Sequence, residues 1–406
     1  MLTLGGESLT FRNVRDEPPF VIRLSDNPSL PRPLRPESAF LFREAQANAT
    51  ELPDGFRLYV QIGGRVEGAE ERTQDRPSIV LSTAYNYLGD GDVLRIVPHR
   101  RGLRVLFRRS ANHNSILLTE QCNNYCLMCS QPPKRIDDSW IINQVLQAIP
   151  LIDSAAKEIT FTGGEPTLLG DDLIRVLSAC KSWLPRTAIH VLSNGRRYAD
   201  PAFADAYAQV QHPDLMVGIP VYSDLSSIHD YVVQADGAFD ETIRGILNLK
   251  VRHQRVEVRV VIHKQTYERL PQLAEFLVRN LLFVDHVALM GLEITGFTRP
   301  NLADLWIDPF DYQKELESAV HKLASYKMNV SIYNHQLCVL DSRLWPYARK
   351  SISDWKNEYL PECLSCTKRS DCGGFFSSAR LRYSDHIAPF SARALQPEVM
   401  LLGASP

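Results

Sequence analysis

Ser115–Ser130 reads SILLTEQCNNYCLMCS, and the rest of the chain is interpreted outward from it. Ser115–Thr119 is apolar enough for a buried strand, and cysteines follow at 122, 126 and 129. Three soft sulfur donors on one short loop suit zinc or an iron–sulfur cluster. Structural zinc takes four closed ligands, usually as two separated pairs, and no fourth Cys or His stands in this loop. A [4Fe–4S] cube held by three cysteines instead leaves one iron open to a small molecule. The C-x3-C-x2-C spacing lets a single loop cap three corners of such a cube.

Around this loop the sequence alternates strand and helix. Helical periodicity at Asp138–Ala148, with Asp138 or Ser139 as N-cap, precedes a strand at Glu158–Phe161. A helix at Asp171–Leu184, a strand at Ala188–Leu192 and a helix at Pro201–Val210 come next. Leu215–Pro220 (strand), Phe239–Val251 (helix), Val256–Ile262 (strand), Leu270–Leu282 (helix) and His286–Met290 (strand) complete the series. Six β–α units with near-continuous apolar strands predict an α/β fold with a parallel sheet covered by helices. A closed eight-fold barrel needs two more units, so the expectation is an open partial (β/α)6 TIM barrel over residues 111–300. Ligands in parallel α/β folds sit at the carboxyl ends of the strands, where the cysteine loop falls.

Residues 1–110 read as an N-terminal β-rich domain. Six prolines between Pro18 and Pro36 argue for extended or turn structure. Strand-like runs follow at Phe56–Ile62, Ser78–Leu81, Val93–Val97 and Leu103–Phe107, separated by turn signals such as Gly63-Gly64. Arg100, Arg101, Arg104, Arg108 and Arg109 form a basic run, read first as a solvated edge strand and second as a binding patch. After Met290 come a long helix at Asp308–Ser325 and a strand at Asn329–Tyr333. Residues 301–380 form a second cysteine region, and 381–406 read as a loosely attached C-terminal tail.

The chain of 406 residues carries 45 Lys+Arg against 47 Asp+Glu, a formal charge of −2, so no global field demands nucleic acid or anionic lipid. No apolar run reaches the ~18 residues of a membrane span. The longest candidate, Phe276–Met290, is cut by Arg279 and Asp285, and the N-terminus lacks an export-signal layout. The expectation is a cytoplasmic protein without a membrane partner. Eight cysteines in a reducing compartment are then thiols or metal ligands. Six of the eight fall into two short windows, which chance does not readily produce. In the second, Cys363, Cys366 and Cys372 give C-x2-C-x5-C, with Cys338 upstream after a strand. Four soft ligands could close a zinc site or hold a second iron–sulfur cluster, and spacing does not decide between them. Cys180, on the apolar side of its helix, reads as a core residue.

In this setting Cys122, Cys126 and Cys129 resemble the signature of the radical S-adenosylmethionine (SAM) enzymes. The resemblance implies that SAM binds the open iron of a [4Fe–4S] cluster through its amino and carboxylate groups. One electron then cleaves it to methionine and a 5′-deoxyadenosyl radical, which takes a hydrogen atom from substrate. Met128 stands where the family often has an aromatic residue near adenine, and a Met fills the same apolar slot. Gly163-Gly164-Glu165-Pro166 looks like the GGEP motif that receives SAM's amino group. Ser193-Asn194-Gly195 resembles the turn near the ribose, with an ordinary turn as the competing reading. Arg259 is either a contact to SAM's carboxylate or the polar face of an edge strand, and Gly291 lets adenine lie against backbone.

The second cysteine set resembles the SPASM or twitch-like auxiliary regions of radical SAM peptide maturases, implying one further iron–sulfur cluster. More narrowly, CNNYCLMCSQPPK at 122–134, GFTRPN at 296–301 and the Cys338…CLSCTKRSDCGGFF end look like the C-type radical SAM maturases of the His-Xaa-Ser system. That implies a small peptide or protein substrate carrying His-Xaa-Ser repeats, a second radical SAM partner protein, and an electron donor such as flavodoxin or ferredoxin. The N-terminal domain then becomes a candidate for positioning the peptide by strand addition. His229-Asp230 is similar to a His-Asp pair of related maturases or is a loop or helix-start pair, His263 and His335 read as proton carriers or as structural residues, and no catalytic acid or base is assigned. The alternatives are a radical SAM enzyme acting on RNA or a small molecule, and a non-enzymatic iron–sulfur or zinc scaffold.

Overall fold

The computed structural model describes residues 9–43, 52–63, 75–350 and 358–391. Gly64 of the turn signal and residues 392–406 of the tail lie outside the described residues. Among the described residues two seven-stranded sheets organise the chain.

The first sheet comprises β1 (Leu9–Arg12), β2 (Phe20–Ser25), β3 (Ser38–Arg43), β4 (Leu58–Ile62), β5 (Ser78–Leu81), β6 (Val93–Val97) and β7 (Gly102–Phe107). Its order is β1-β5-β4-β3-β2-β6-β7, parallel from β2 through β5 and antiparallel at both flanks. The β-rich expectation holds for this domain. Three of its strands, β1, β2 and β3, went unread, β2 and β3 because the prolines drew attention to irregular structure. Pro18 and Pro19 lie just before β2, and the other four lie in the link and the 3-10 turn Arg32–Glu37, so no ladder hydrogen bond is lost. Ile22, Leu24, Leu41, Val60, Ile62, Ile79, Leu81, Leu94 and Ile96 share one buried cluster, at the period of two that a half-covered sheet requires. The alternate positions Phe40 and Phe42 join Phe56 and Tyr59 in a second cluster. β7 ends the strand order among the described residues, but of the basic run only Arg104 lies on it, half-buried rather than solvated.

The second sheet follows the order β8-β9-β10-β11-β12-β13-β14. By compactness the chain divides into two units: 1–123, 133–218 and 244–255 form one; 124–132, 219–243 and 256–406 form the other. The first unit holds the N-terminal sheet together with β8 (His113–Thr119), β9 (Glu158–Gly163), β10 (Ala188–Leu192) and most of β11 (Leu215–Pro220), paired in parallel. It also carries α1 (Trp140–Ala148), α2 (Asp171–Trp183) and α3 (Pro201–Gln209). α5 (Ala238–Val251) begins in the second unit and ends in the first.

The second unit holds β12 (Arg255–Ile262), β13 (His286–Gly291) and β14 (Val330–Tyr333) with α4 (Ser226–Val233), α6 (Leu270–Asn280), α7 (Leu302–Leu305) and α8 (Gln313–Ser325). α6 buries Leu270, Leu273, Ala274, Leu277 and Val278, the i, i+3, i+4 stripe of a helix covering a sheet. The partial parallel barrel is therefore present, with one correction. β14 pairs in parallel with β13, Val287 opposite Val330, so the core sheet has seven strands rather than six. α8 is simply one more crossover helix, and its strand belongs with the sheet rather than with the cysteine region.

Two smaller readings change. α1 starts at Trp140, and Ser139 makes no side-chain cap bond; the Asp138 carboxylate is engaged elsewhere, as described below. The described start of the tail is also tied down: Asp385 N–H donates to Asp308 at 3.1 Å, His386 stacks on Phe310 at 3.8 Å, and Phe390 O accepts from Thr367 N at 2.9 Å. Among the described residues no helix is long and apolar enough to cross a membrane.

Ile22 sits fully buried in the N-terminal cluster. Ile22→Ala is expected to destabilise the first unit by about 2–5 kcal/mol, read as a lowered denaturant midpoint in chemical unfolding; an unchanged midpoint would mean that this sheet does not fold cooperatively around Ile22.

Candidate active site

The root of the cysteine loop belongs to the first unit and is pinned from three sides. β8 carries one extra residue against β9, with Leu117 opposite Thr162 and Thr119 opposite Gly163. This irregularity re-aims the chain just before Cys122. The ends of β8 and β9 then run together: Gly164 N–H donates to Thr119 O at 2.8 Å, and Glu165 N–H to Gln121 O at 2.7 Å. A Cβ at Gly163 would lie 2.6 Å from Thr119 O, and one at Gly164 would collide with the Gln121 carbonyl. The glycine pair is therefore required by the protein's own backbone, independently of any ligand.

Asp138 supplies the second restraint, one the sequence reading misassigned to a helix cap. Its buried carboxylate accepts from Thr119 Oγ1 at 2.9 Å, Glu120 N at 2.5 Å and Gln121 Nε2 at 3.2 Å. The chain returns to close the loop where Lys134 N–H donates to Glu120 O at 2.8 Å and Lys134 Nζ pairs with the Glu120 carboxylate at 2.7 Å.

Glu165 provides the third. It is 1% exposed, and its Oε1 accepts from Thr167 N, Thr167 Oγ1 and Ser193 Oγ at 2.9, 2.6 and 2.8 Å. Oε2 accepts from Asn194 N–H at 2.6 Å. Burial pushes its carboxyl up, while these four hydrogen bonds pull it back. One carboxylate thus joins the GGEP and Ser-Asn-Gly segments. The turn reaches on to the loop: Asn194 Nδ2 donates to Asn123 Oδ1 at 2.6 Å, and Arg196 donates to Asn123 O at 2.9 Å. Gly195 has φ of 82°, and a Cβ on Gly245 would collide with its carbonyl. Asn123, Arg196 and Gly245 were not singled out in the sequence; only the position of Asn123 beside Cys122 could have flagged one of them.

Cys126 and Cys129 belong to the second unit, which grips their part of the loop separately. Tyr125 and Leu127 N–H groups donate to Val233 O and Val232 O at 3.0 Å each, at the end of α4. Asn301 Nδ2 donates to Leu127 O at 2.9 Å, Thr298 Oγ1 to Met128 O at 3.2 Å, and Phe297 N to Cys129 O at 2.8 Å. Gly296, at φ of 51°, brings its Cα against the Cys129 carbonyl with no space for a side chain. GFTRPN is thus a clamp on the cysteine loop. Met128 packs with Tyr222, Val232, Val233, Ala238 and Leu305. All three cysteines of the motif are half-buried, whereas Cys180 is fully buried and its thiol is pushed up to about 12. Burial also raises the Cys129 thiol, whose Sγ lies 3.0 Å from Gln131 O.

Arg259 lies on β12, an interior strand, which removes the edge-strand reading. Its guanidinium pairs with Glu257 at 2.5 Å; Glu257 also meets His286 Nδ1 at 2.6 Å, and His286 Nε2 meets Ser331 Oγ at 3.0 Å. Gly291 at the end of β13 has the Asn334 carbonyl 2.6 Å from where a Cβ would stand, and it borders a cavity of about 50 Å³ with Ile262, Glu293 and Trp306. The His229-Asp230 pair is structural: His229 Nδ1 accepts from Tyr222 N at 3.2 Å, and Asp230 accepts from Gly237 N and Phe239 N at 2.7 and 2.8 Å, capping α5. His335 is held between Tyr312 Oη and Tyr333 O, both at 2.8 Å. Burial pulls both His335 and His263 down to about 4, so each stays neutral near pH 7.

Cys338, Cys363, Cys366 and Cys372 all border one small cavity of about 20 Å³, roofed by Leu337, Phe375 and Phe390. Tyr359 Oη donates to Cys372 O at 2.9 Å, and Gln336 Nε2 to Gly374 O at 2.8 Å, holding the returning loop. Burial raises the Cys338 and Cys363 thiols, and both are raised further by Cys372. As they stand, no three His, Cys, Asp or Glu side chains among the described residues meet at one ion-sized point. The donor sets nonetheless fit sulfur-ligated metal: three half-buried thiols on eight residues, and four around one apolar-roofed cavity.

Residues 116–277 match the Radical SAM superfamily. It is 21% identical over 192 residues to the pyruvate formate-lyase-activating enzyme of Clostridium pasteurianum, covering 46% of this chain and 77% of the relative. It is also similar to Streptococcus suis SuiB bound to S-adenosylmethionine, at 16% identity and a TM-score of 0.43, covering 56% of this chain and 51% of that one. A further likeness is to anSMEcpe with bound AdoMet, at 17% identity and a TM-score of 0.42, covering 54% and 63%. The chain spans about half the length of the SuiB structure.

Asp138→Ala leaves the buried Thr119 hydroxyl and Glu120 N–H without their acceptor and is expected to cost about 1–3 kcal/mol. Thermal melting checks the stability, and iron content after anaerobic reconstitution checks the loop: both should fall. A variant that melts like the parent and loads iron equally would show that the loop root does not depend on Asp138.

Proposed function

We propose that this chain reductively cleaves S-adenosylmethionine and uses the 5′-deoxyadenosyl radical to abstract hydrogen from, and so modify, a peptide or small protein. The observation that carries this reading is the pairing of a radical SAM segment at 116–277 with three half-buried thiols, at 122, 126 and 129, on a loop whose root is fixed by Asp138 and the Gly163-Gly164 contact. When bound through Cys122, Cys126 and Cys129, a [4Fe–4S] cluster supplies the single electron and one open iron for SAM. Gly163, Gly164, Glu165, Ser193 and Asn194 shape the backbone that receives the SAM amino and ribose groups, with Glu165 as the tie between the two motifs. Met128 provides apolar surface, Gly291 a bare backbone at a strand end, and Arg259 a cation for the SAM carboxylate. Cys338, Cys363, Cys366 and Cys372 hold an auxiliary iron–sulfur cluster, with zinc as the alternative occupant.

The peptide assignment rests on CNNYCLMCSQPPK, GFTRPN and the C-terminal CLSC segment, whose likeness is to maturases of the His-Xaa-Ser system. The substrate is then a partner peptide with His-Xaa-Ser repeats, modified in the cytoplasm alongside a second radical SAM protein, with flavodoxin or ferredoxin as electron source. A net charge of −2 supports a peptide over RNA.

Anaerobic reconstitution with iron and sulfide, followed by SAM and dithionite, should yield 5′-deoxyadenosine on chromatography. The Cys122→Ala/Cys126→Ala/Cys129→Ala protein should yield none, and equal turnover by that variant would overturn the reading. Cys363→Ala/Cys372→Ala should lose part of the bound metal yet still form 5′-deoxyadenosine without peptide. If its metal content matches the parent, the second cysteine set is not a metal site.

A further inference from the structure

A cavity of about 520 Å³ opens in the first unit between the β6–β7 ribbon and α1, and nothing in the chemistry above uses it. Its floor carries Arg95 and Arg104, which are directly opposite one another in the β6–β7 register. Like charges in that relation repel and destabilise a strand pair. Arg100, exposed on the turn between the strands, adds a third positive charge. Burial and the neighbouring arginines depress Arg95, and burial depresses Arg104 against the pull of Glu120. Neither Arg95 nor Arg100 has a carboxylate partner among the described residues, and Arg95 Nε is buried without an acceptor.

The opposite wall is the polar flank of α1: Ile141, Ile142, Val145 and Ala148 cover the core, while Trp140, Asn143, Gln144 and Gln147, at i, i+3, i+4 and i+7, line the cavity. Carboxamides both donate and accept, which is what a peptide backbone requires. The Trp140 ring is 40% exposed and is held by the Arg95 guanidinium 4.1 Å above it. Among the described residues β7 stands at the end of the strand order beside this cleft.

We infer that the cleft between β6–β7 and α1 binds an extended acidic segment of a peptide, its carboxylates on Arg95, Arg100 and Arg104 and its backbone on the carboxamide stripe. This deepens the peptide reading of the substrate and rests on it. A single-stranded nucleic acid fits less well, since one indole gives no succession of stacking surfaces and the amide stripe matches peptide groups.

Fluorescence anisotropy on the full chain tests it, with a fluorescein-labelled octapeptide of alternating Glu and Val, its Lys–Val counterpart, and octauridylate as probes. The acidic peptide should bind and the basic one should not. Arg95→Gln/Arg104→Gln should weaken binding at least tenfold, and binding should weaken as salt is raised. Because the double variant relieves a like-charge pair, its melting temperature should match or exceed the parent's. Arg100→Glu, at an exposed turn residue, perturbs no packing and should weaken binding at least threefold. Unchanged affinity in both variants, or octauridylate binding more tightly than the acidic peptide, would overturn the inference. Formation of 5′-deoxyadenosine without peptide is measured on the same samples: its loss in the parent counts against the proposed chemistry, whereas its persistence without peptide binding counts against the cleft alone.

Discussion

The close approach of two strand ends governs this molecule. β8 and β9 converge until Thr119 O and the Gly163 Cα leave no space for a side chain, and the following residue meets the Gln121 carbonyl as closely. Two backbone hydrogen bonds, from Gly164 and Glu165, lock that approach just ahead of Cys122. A loop of three cysteines is otherwise the part of a chain least able to hold a geometry, because it has no regular ladder of its own. Here its entry is set by glycine backbone, by the Asp138 carboxylate and, through Asn123, by the Ser193-Asn194-Gly195 turn.

Charge is used economically in the same unit. Glu165 is fully enclosed, a position that disfavours an ionised carboxyl, and four donors surround it. Asp138 is likewise buried, with three donors within hydrogen-bond distance. Both carboxylates therefore act as multi-point fasteners between segments far apart in sequence. Arg95 and Arg104 are the contrast: two half-buried like charges face each other across the strand pair, with Arg95 Nε lacking an acceptor while its guanidinium lies over the Trp140 ring.

Much of the parallel core was legible in the sequence. Leu215–Pro220 and Ala188–Leu192 were delimited to the residue, and Val256–Ile262 to within one, because strands buried in a sheet read as apolar runs between turn signals. β14 was seen as a strand but assigned to the wrong neighbour, since four residues carry no record of what they pair with. β2 and β3 were hidden by flanking prolines. Cys122, Cys126, Cys129 and the GGEP and Ser-Asn-Gly segments stood out by spacing. Asp138, Asn123 and Gly245 did not, because their significance lies in contacts 18 to 71 residues away along the chain, as between Glu120 and Asp138 or between Asn123 and Asn194. A local pattern cannot encode such a contact.

The account's central claim is that the Cys122–Cys129 loop carries an iron–sulfur cluster with a site for SAM. Electron paramagnetic resonance of the anaerobically reconstituted, dithionite-reduced chain, recorded before and after SAM is added, addresses it directly. The account predicts a reduced-cluster signal whose shape changes on SAM addition, and no SAM-dependent change in the Cys122→Ala protein. A spectrum that SAM leaves untouched, or one that responds equally without Cys122, would contradict it.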